Sequence, residues 1–192
     1  MNIGLDIDNV ITDFDKSILK YFLKEDKLKR NNGIINPKPS HINCGMFDWS
    51  EEEVKEFYNK NMEKIATELN IRKYARNVIN QLLKDGHEIF LISHRSQPHY
   101  KNPQQTTLDW LKKKKINYTK LVLSKLPDKT AECLKYKIDI LVDDRVDQCK
   151  LMKNRGINVF LMLTRYNKYA KKDLPYVKSW LELYKEISKC KS

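Results

Sequence analysis

Short apolar runs alternate with amphipathic stripes along most of this chain, and that alternation is what most constrains its fold. Ile3–Ile7, Glu88–Ile92, Lys120–Leu123, Ile138–Val142 and Asn158–Leu163 are strand candidates. Such unbroken runs fit strands buried on both faces of a parallel sheet. Between them, apolar residues recur at helical spacing. Tyr74, Val78, Ile79, Leu82 and Leu83 form one stripe, closed by Gly86 as a C-terminal cap. Leu108, Trp110 and Leu111 mark a second, entered through Pro103, and a third starts near Asp128 with Ala131 and Leu134. A fourth carries Val146, Cys149 and Met152 and stops at Gly156; Val177, Trp180, Leu181, Tyr184 and Ile187 form the last. The pattern predicts a doubly wound, Rossmann-like α/β fold.

One segment breaks the alternation. Residues 15–73 show helical stripes (Ile18, Leu19, Phe22, Leu23; then Val54, Phe57, Tyr58, Ile65, Leu69) but no convincing strand. Ser50 and Glu53 are spaced as a capping box for the second stripe. Asn31–Trp49, rich in Asn, Gly and Pro, reads as a loop. The expectation is a core of residues 1–14 and 74–192, with residues 15–73 inserted after the first strand as a helical cap.

A chain of 192 residues with 41% hydrophobic content suits one domain with room for such an insertion. No apolar run has bilayer length, and nothing after Met1 resembles a leader, so neither a membrane span nor a signal peptide is expected. Cys44, Cys133, Cys149 and Cys190 are scattered without a C-x-x-C pair, which points to reduced thiols and a cytoplasmic location. The net charge of +12 has two readings: attraction to polyanions, or lysines on solvated faces from biased composition. The run Lys112–Lys115 ends a helical stripe, where cations complement the helix dipole, and carries little weight as a nucleic-acid signal.

The chemistry gathers just after the strand candidates, where α/β folds bind ligands. Asp6-Ile7-Asp8-Asn9-Val10 follows the first; a turn or helix cap would account for Asp8 or Asn9, but not for Asp6 inside an apolar run. Asp143 and Asp144 follow another strand, and adjacent carboxylates there either hold a hard cation such as Mg²⁺ or leave one to cap the next helix. Ser93, His94 and Arg95 follow a third, where a hydroxyl and free backbone N–H groups suit phosphate or an ordinary turn. Lys129, at a helix start, means something only through its order relative to the others.

That order is D-x-D, then Ser, then Lys, then DD, and it resembles the haloacid dehalogenase (HAD) superfamily over the whole catalytic core. Within it, Asp6-Ile7-Asp8-Asn9-Val10-Ile11-Thr12-Asp13-Phe14 is most similar to the 5′(3′)-deoxyribonucleotidase branch and its bacterial relatives, with Asn9 where Gly is common and Ser93 where Thr is common. The resemblance implies a Mg²⁺-dependent phosphomonoester hydrolase working through an aspartyl-phosphate. Asp6 would be the nucleophile and Asp8 the general acid and base. The metal would be held by Asp6, the Asp8 carbonyl and Asp144, with Asp143 acting through water. Ser93 and Lys129, with His94 beside them, would bind the phosphoryl group. Phe14, which matches an aromatic of that branch, would contact the base of a nucleoside monophosphate. Phe47 and Trp49, in the loop, have two readings: they close over that base from the other side, or they pack the cap against the core.

Two alternatives remain. One is a sugar-phosphate or other small-metabolite phosphatase of the same fold. The other is a basic nucleic-acid-binding module on a degenerate hydrolase fold. Asp6, Asp8, Asp143 and Asp144 count against the second, because they would repel a phosphate backbone.

Overall fold

The computed structural model describes residues 1–37 and 45–190. In chain order the elements are β1 (Asn2–Leu5), α1 (Phe14–Lys29), α2 (Glu51–Glu68), α3 (Ala75–Lys84), β2 (Glu88–Ser93), α4 (Pro103–Lys114), β3 (Lys120–Leu123) and α5 (Thr130–Lys135). They continue with β4 (Ile140–Asp143), α6 (Val146–Asn154), β5 (Asn158–Met162), a 3₁₀ turn (Lys168–Lys172), β6 (Tyr176–Val177) and α7 (Trp180–Lys189). All six strands are parallel, in the order β3-β2-β1-β4-β5-β6. β1 is therefore central, and the chain winds first to one side of it and then to the other. The crevice that this reversal opens lies at the C-terminal ends of β1 and β4.

Burial explains why the apolar runs become strands. Ile3, Leu5, Ile89, Leu91, Ile140 and Val142 lie in one hydrophobic cluster, while Ile92, Leu141 and Leu161 lie in another. Alternate residues of a strand face opposite layers, so both faces of the sheet are filled. Gly4 sits where a Cβ would come within 3.1 Å of both Ile138 and Leu141, so the central strand is kept slim at that point.

Two details of the sequence pattern are corrected. Val177, assigned to the last helical stripe, belongs to the two-residue edge strand β6, and α7 begins only at Trp180. Tyr74 precedes α3 in a left-handed conformation (φ 66°) and is partly exposed.

Among the described residues of 14–69 there are two helices and no strand, and α1 packs on α2. α2 starts as its sequence predicts: the Ser50 hydroxyl accepts from the Glu53 N–H (3.2 Å) and the Glu53 carboxylate accepts from the Ser50 N–H (2.8 Å). Between the helices the chain makes an isolated bridge, Ile34 to Phe47. It is tied down by Asp26, a buried carboxylate on α1 that accepts from the Gly33 N–H (2.8 Å) and from Trp49 Nε1 (3.0 Å). A Cβ on Gly33 would collide with the carboxylates of Asp26 and Asp48. Cys133 and Cys149 are buried free thiols and Cys190 an exposed one; Cys44 lies outside the described residues. Among the described residues no helix is long and apolar enough to cross a membrane.

Candidate active site

β1 ends at Leu5, but the Asp6 N–H still bonds to the Val142 carbonyl (3.0 Å), so Asp6 is fixed beside the end of β4. The chain then turns: the N–H groups of Ile11 and Thr12 both reach the Ile7 carbonyl at 3.0 Å. Asn9 takes a left-handed conformation (φ 61°), which Asn tolerates better than most residues and which a Gly would meet without strain. Its side-chain amide donates to Asp15 and to Asp144, each at 3.0 Å, tying this turn to the tip of β4.

At the bottom of the crevice, Lys129 Nζ lies 2.6 Å from Asp6 Oδ1 and 2.6 Å from Asp143 Oδ2. All three side chains are buried. Burial pulls the Lys129 pKa down, and the Asp143 and Asp6 carboxylates beside it more than offset this, so it lies above its ordinary value. Asp6 is pushed up to about 6 by burial, against the pull of Lys129 and with the repulsion of Asp143 and Asp8 added. Burial, then Asp143 and Asp6, push Asp144 well above the usual carboxylate range. Excess negative charge in a closed space is what a cation relieves. Asp6, Asp143 and Asp144 each offer an oxygen, all within 4.8 Å of one another. Oxygen donors crowded in this way fit Mg²⁺ by charge and hardness.

A cavity of about 250 Å³ opens above these groups, lined by Asp6, Asp8, Asn9, Phe14, Asp15, Tyr58, Ser93, His94, Lys129, Asp144 and Arg145, among others. Asp144 faces it. Asp143 does not line it: one of its oxygens is held by Lys129 and the other accepts from the Arg145 N–H (2.8 Å).

The family of 5′ nucleotidases described as deoxy (pyrimidine), cytosolic type C matches residues 1–192. The chain belongs to that family. A nucleotidase of Clostridium acetobutylicum is 28% identical over 134 residues, covering 69% of this chain and 67% of its own. Among solved structures, a HAD-superfamily hydrolase of subfamily IA from Geobacter sulfurreducens superposes with a TM-score of 0.63 at 14% identity, covering 96% of this chain and 98% of its own. A D,D-heptose 1,7-bisphosphate phosphatase from B. bronchiseptica, solved with magnesium and phosphate, gives 0.57 at 10% identity and covers 98% of each chain. The protein is thus a phosphoric monoester hydrolase with a HAD-like fold.

Against the sequence expectations, the fold brings Asp6, Asp8, Ser93, His94, Lys129, Asp144 and Phe14 to one cavity, with Asp143 directly beneath it. Ser93 is buried, and burial lowers the His94 pKa below its ordinary value. Phe47 and Trp49 are not brought there. Both are buried in a cluster of rings around Phe22, whose centroid lies 5.6 Å from that of Phe47, 5.1 Å from Trp49 and 4.0 Å from Phe57. The physical reason is that the indole N–H finds its partner in Asp26 inside this cluster, so nothing draws the ring outward. The aromatic that does reach the cavity from this side is Tyr58 on α2.

Sequence reasoning also missed Asp15, Arg145 and Arg95. Arg95 is fully buried behind Asp8 and donates to both of its oxygens, from Nε at 3.1 Å and from Nη2 at 2.6 Å. Its only sequence signal was its place two residues after Ser93.

Proposed function

We propose that this hydrolase cleaves nucleoside monophosphates through an aspartyl-phosphate on Asp6, with a divalent cation, Mg²⁺, held by Asp6, Asp144 and the Asp8 carbonyl. The observation that carries this reading is the position of Asp6. It is a carboxylate at the floor of the cavity, fixed by Lys129 and clustered with two further carboxylates.

In the first step an Asp6 oxygen attacks phosphorus and the bond from phosphorus to the ester oxygen breaks. Asp8 hands its proton to that oxygen, which leaves as an alcohol. In the second, water attacks the phosphorus of the acyl phosphate while Asp8 takes a water proton. The P–O bond to Asp6 breaks, and phosphate departs with both residues restored. Lys129 and the hydroxyl of Ser93 hold the phosphoryl oxygens, with His94 at the rim. A bound Mg²⁺ would supply the positive charge that lets two anions meet. Asp143 acts from beneath, holding Lys129 and the turn at Arg145.

Residues 15–73 serve as the cap. The cavity has room for the phosphate and sugar but is small for an entire nucleotide. The base would therefore stand at the mouth, between Phe14 and Tyr58. That same small volume favours the second reading, a sugar-phosphate or similar metabolite as substrate.

Phosphate release from a panel of phosphomonoesters with Mg²⁺ separates the two. On the nucleotide reading, nucleoside monophosphates are cleaved faster than sugar phosphates. Tyr58→Ala and Phe14→Ala should each weaken nucleotide binding by about 1–3 kcal/mol, the scale of one base–aromatic stack. Equal rates on both classes, unchanged in the two variants, would leave the phosphatase and remove the nucleotide.

A further inference from the structure

Asp8 and Arg95 form a pair that the proposed chemistry uses only on one side. Asp8 lines the cavity and its side chain is 21% exposed, whereas Arg95 lies wholly inside and does not line the cavity. The guanidinium is fixed from several directions. Nε and Nη2 take the two Asp8 oxygens, Nη1 donates to the Thr107 hydroxyl at 3.2 Å, and the ring of buried Tyr100 lies 5.9 Å away. The Thr107 hydroxyl in turn donates to the Pro103 carbonyl (2.7 Å) in the first turn of α4. A two-point grip on a carboxylate sets its plane as well as its position, which a lysine or a single hydroxyl does not do.

The same stretch of chain, from Arg95 to Thr107, is gripped from outside by α2. Glu63 accepts from the Lys101 N–H with one oxygen and from the Thr106 hydroxyl with the other. Asn59 meets the His99 ring nitrogen at 2.9 Å, and the Tyr58 ring lies 5.4 Å from that of His99. Thr106 and Thr107 are neighbours, one held by α2 and the other by Arg95. Tyr58, next to Asn59 on the same helix, is the α2 aromatic that lines the cavity.

We propose that Arg95 is the positioning residue for Asp8, and that Glu63 couples the placement of α2 to it through the bracket formed by residues 95–107. This rests on the reading of Asp8 as the group that protonates the leaving oxygen. In the resting arrangement both Asp8 oxygens are taken by Arg95. Opening one of the two bonds frees an oxygen to turn toward the cavity, while the other keeps the carboxyl in its plane. Seating of α2 over a substrate then bears on the reaction through Glu63, Thr106, Thr107 and Arg95, without any of these touching the substrate.

The test separates positioning from structure by the leaving group. An alkoxide needs a proton to depart, whereas p-nitrophenolate does not, so a misplaced Asp8 slows the first step for an alkyl phosphate and spares it for the aryl one. The first-step rate is read as the burst of alcohol or phenol in a single turnover, with glycerol phosphate and p-nitrophenyl phosphate as probes. Asp8→Asn sets the scale. Arg95→Met should lower the alkyl burst rate by about 10²-fold, the usual cost of a displaced catalytic group, with the aryl rate much less affected. Arg95→Lys, which keeps a cation beside Asp8 and so guards against loss of folding, should fall between Met and wild type. Glu63→Gln should shift the same ratio in the same direction by less. Equal slowing of both esters in the Arg95 variants, or no slowing of either, would overturn the proposal. If Asp8→Asn itself shows no leaving-group preference, the parent reading of Asp8 fails instead, and the two failures are told apart.

Discussion

The floor of the cavity and the α1–α2 side that helps to line it are held together by opposite means. At the floor, Lys129 lies 2.6 Å from each of two buried carboxylates. On the α1–α2 side, Phe22, Phe47, Trp49, Phe57 and Tyr58 pack ring against ring, with Asp26 the buried anchor at its edge. Ion pairs at the floor are costly to bury and add little net stability, so they are kept for what they do to a reacting group. Ring packing stabilises through area, whatever chemistry is done below it. Substitutions at the floor should therefore cost turnover, and substitutions in the ring cluster should cost stability.

The sharpest separation is expected at Asp6. Asp6→Asn keeps the shape, removes the proposed nucleophile and relieves repulsion with Asp143 and Asp8, so it should lower turnover by about 10⁴–10⁶-fold. Its thermal midpoint should match or exceed that of the metal-free wild type. Appreciable turnover in a clean preparation would break the covalent reading.

Phe22→Ala should show the reverse. It empties the centre of the ring cluster and should cost about 3–5 kcal/mol in denaturant unfolding. The first-step rate on p-nitrophenyl phosphate, measured where the variant is still folded, should change little. A large loss of rate without loss of stability would show that the ring cluster takes part in the chemistry.

Within the floor, Asp144→Asn should raise the Mg²⁺ concentration needed for half-maximal activity more than Asp143→Asn does, because Asp144 faces the cavity and Asp143 is spent on Lys129 and Arg145. Activity should vanish in EDTA and return with Mg²⁺. Full activity in chelator would remove the metal from the proposal.

The smallest effect is expected at the start of α2. Ser50→Ala should cost about 1 kcal/mol, the usual worth of an N-cap. Arg30, and then the Ser50 N–H, hold the Glu53 carboxyl down at about 2, against an ordinary 4.5. Its contribution is thus present above pH 4.5 and is lost as pH falls toward about 2. Glu53→Gln should flatten that part of the pH–stability curve without altering turnover near neutrality.

The same contrast governs what could be read from the sequence. Strands and their terminal acids were legible because an apolar run and a carboxylate at its end are both local, and because Asp6, Asp8, Ser93, Lys129, Asp143 and Asp144 keep a fixed order along the chain. β6 was not, since Tyr176 and Val177 are too few to show a period and their strand character comes from pairing with Leu161 and Met162. Arg95 was hidden among 37 basic residues, its partner lying 87 positions away. Phe47 and Trp49 could be read either as base contacts or as packing, because an aromatic near a loop reads the same whether it meets a ligand or a neighbouring ring. The carboxylate that decides between these, Asp26, lies 23 positions before Trp49, in the last turn of α1.

The shared ammonium of Lys129 has one further consequence, for how occupancy relates to folding. Because that side chain already bridges Asp6 and Asp143, the carboxylate cluster is cross-linked by the protein's own cation. Small zinc domains need the ion to fold at all; here the chelated protein should melt as a single cooperative unit. Added divalent cation should then raise the midpoint only as any ligand of the native state does, by about 2.7 kcal/mol at a hundred times its dissociation constant. Purification in chelator should accordingly yield a folded, silent enzyme that a divalent salt switches on without a refolding lag.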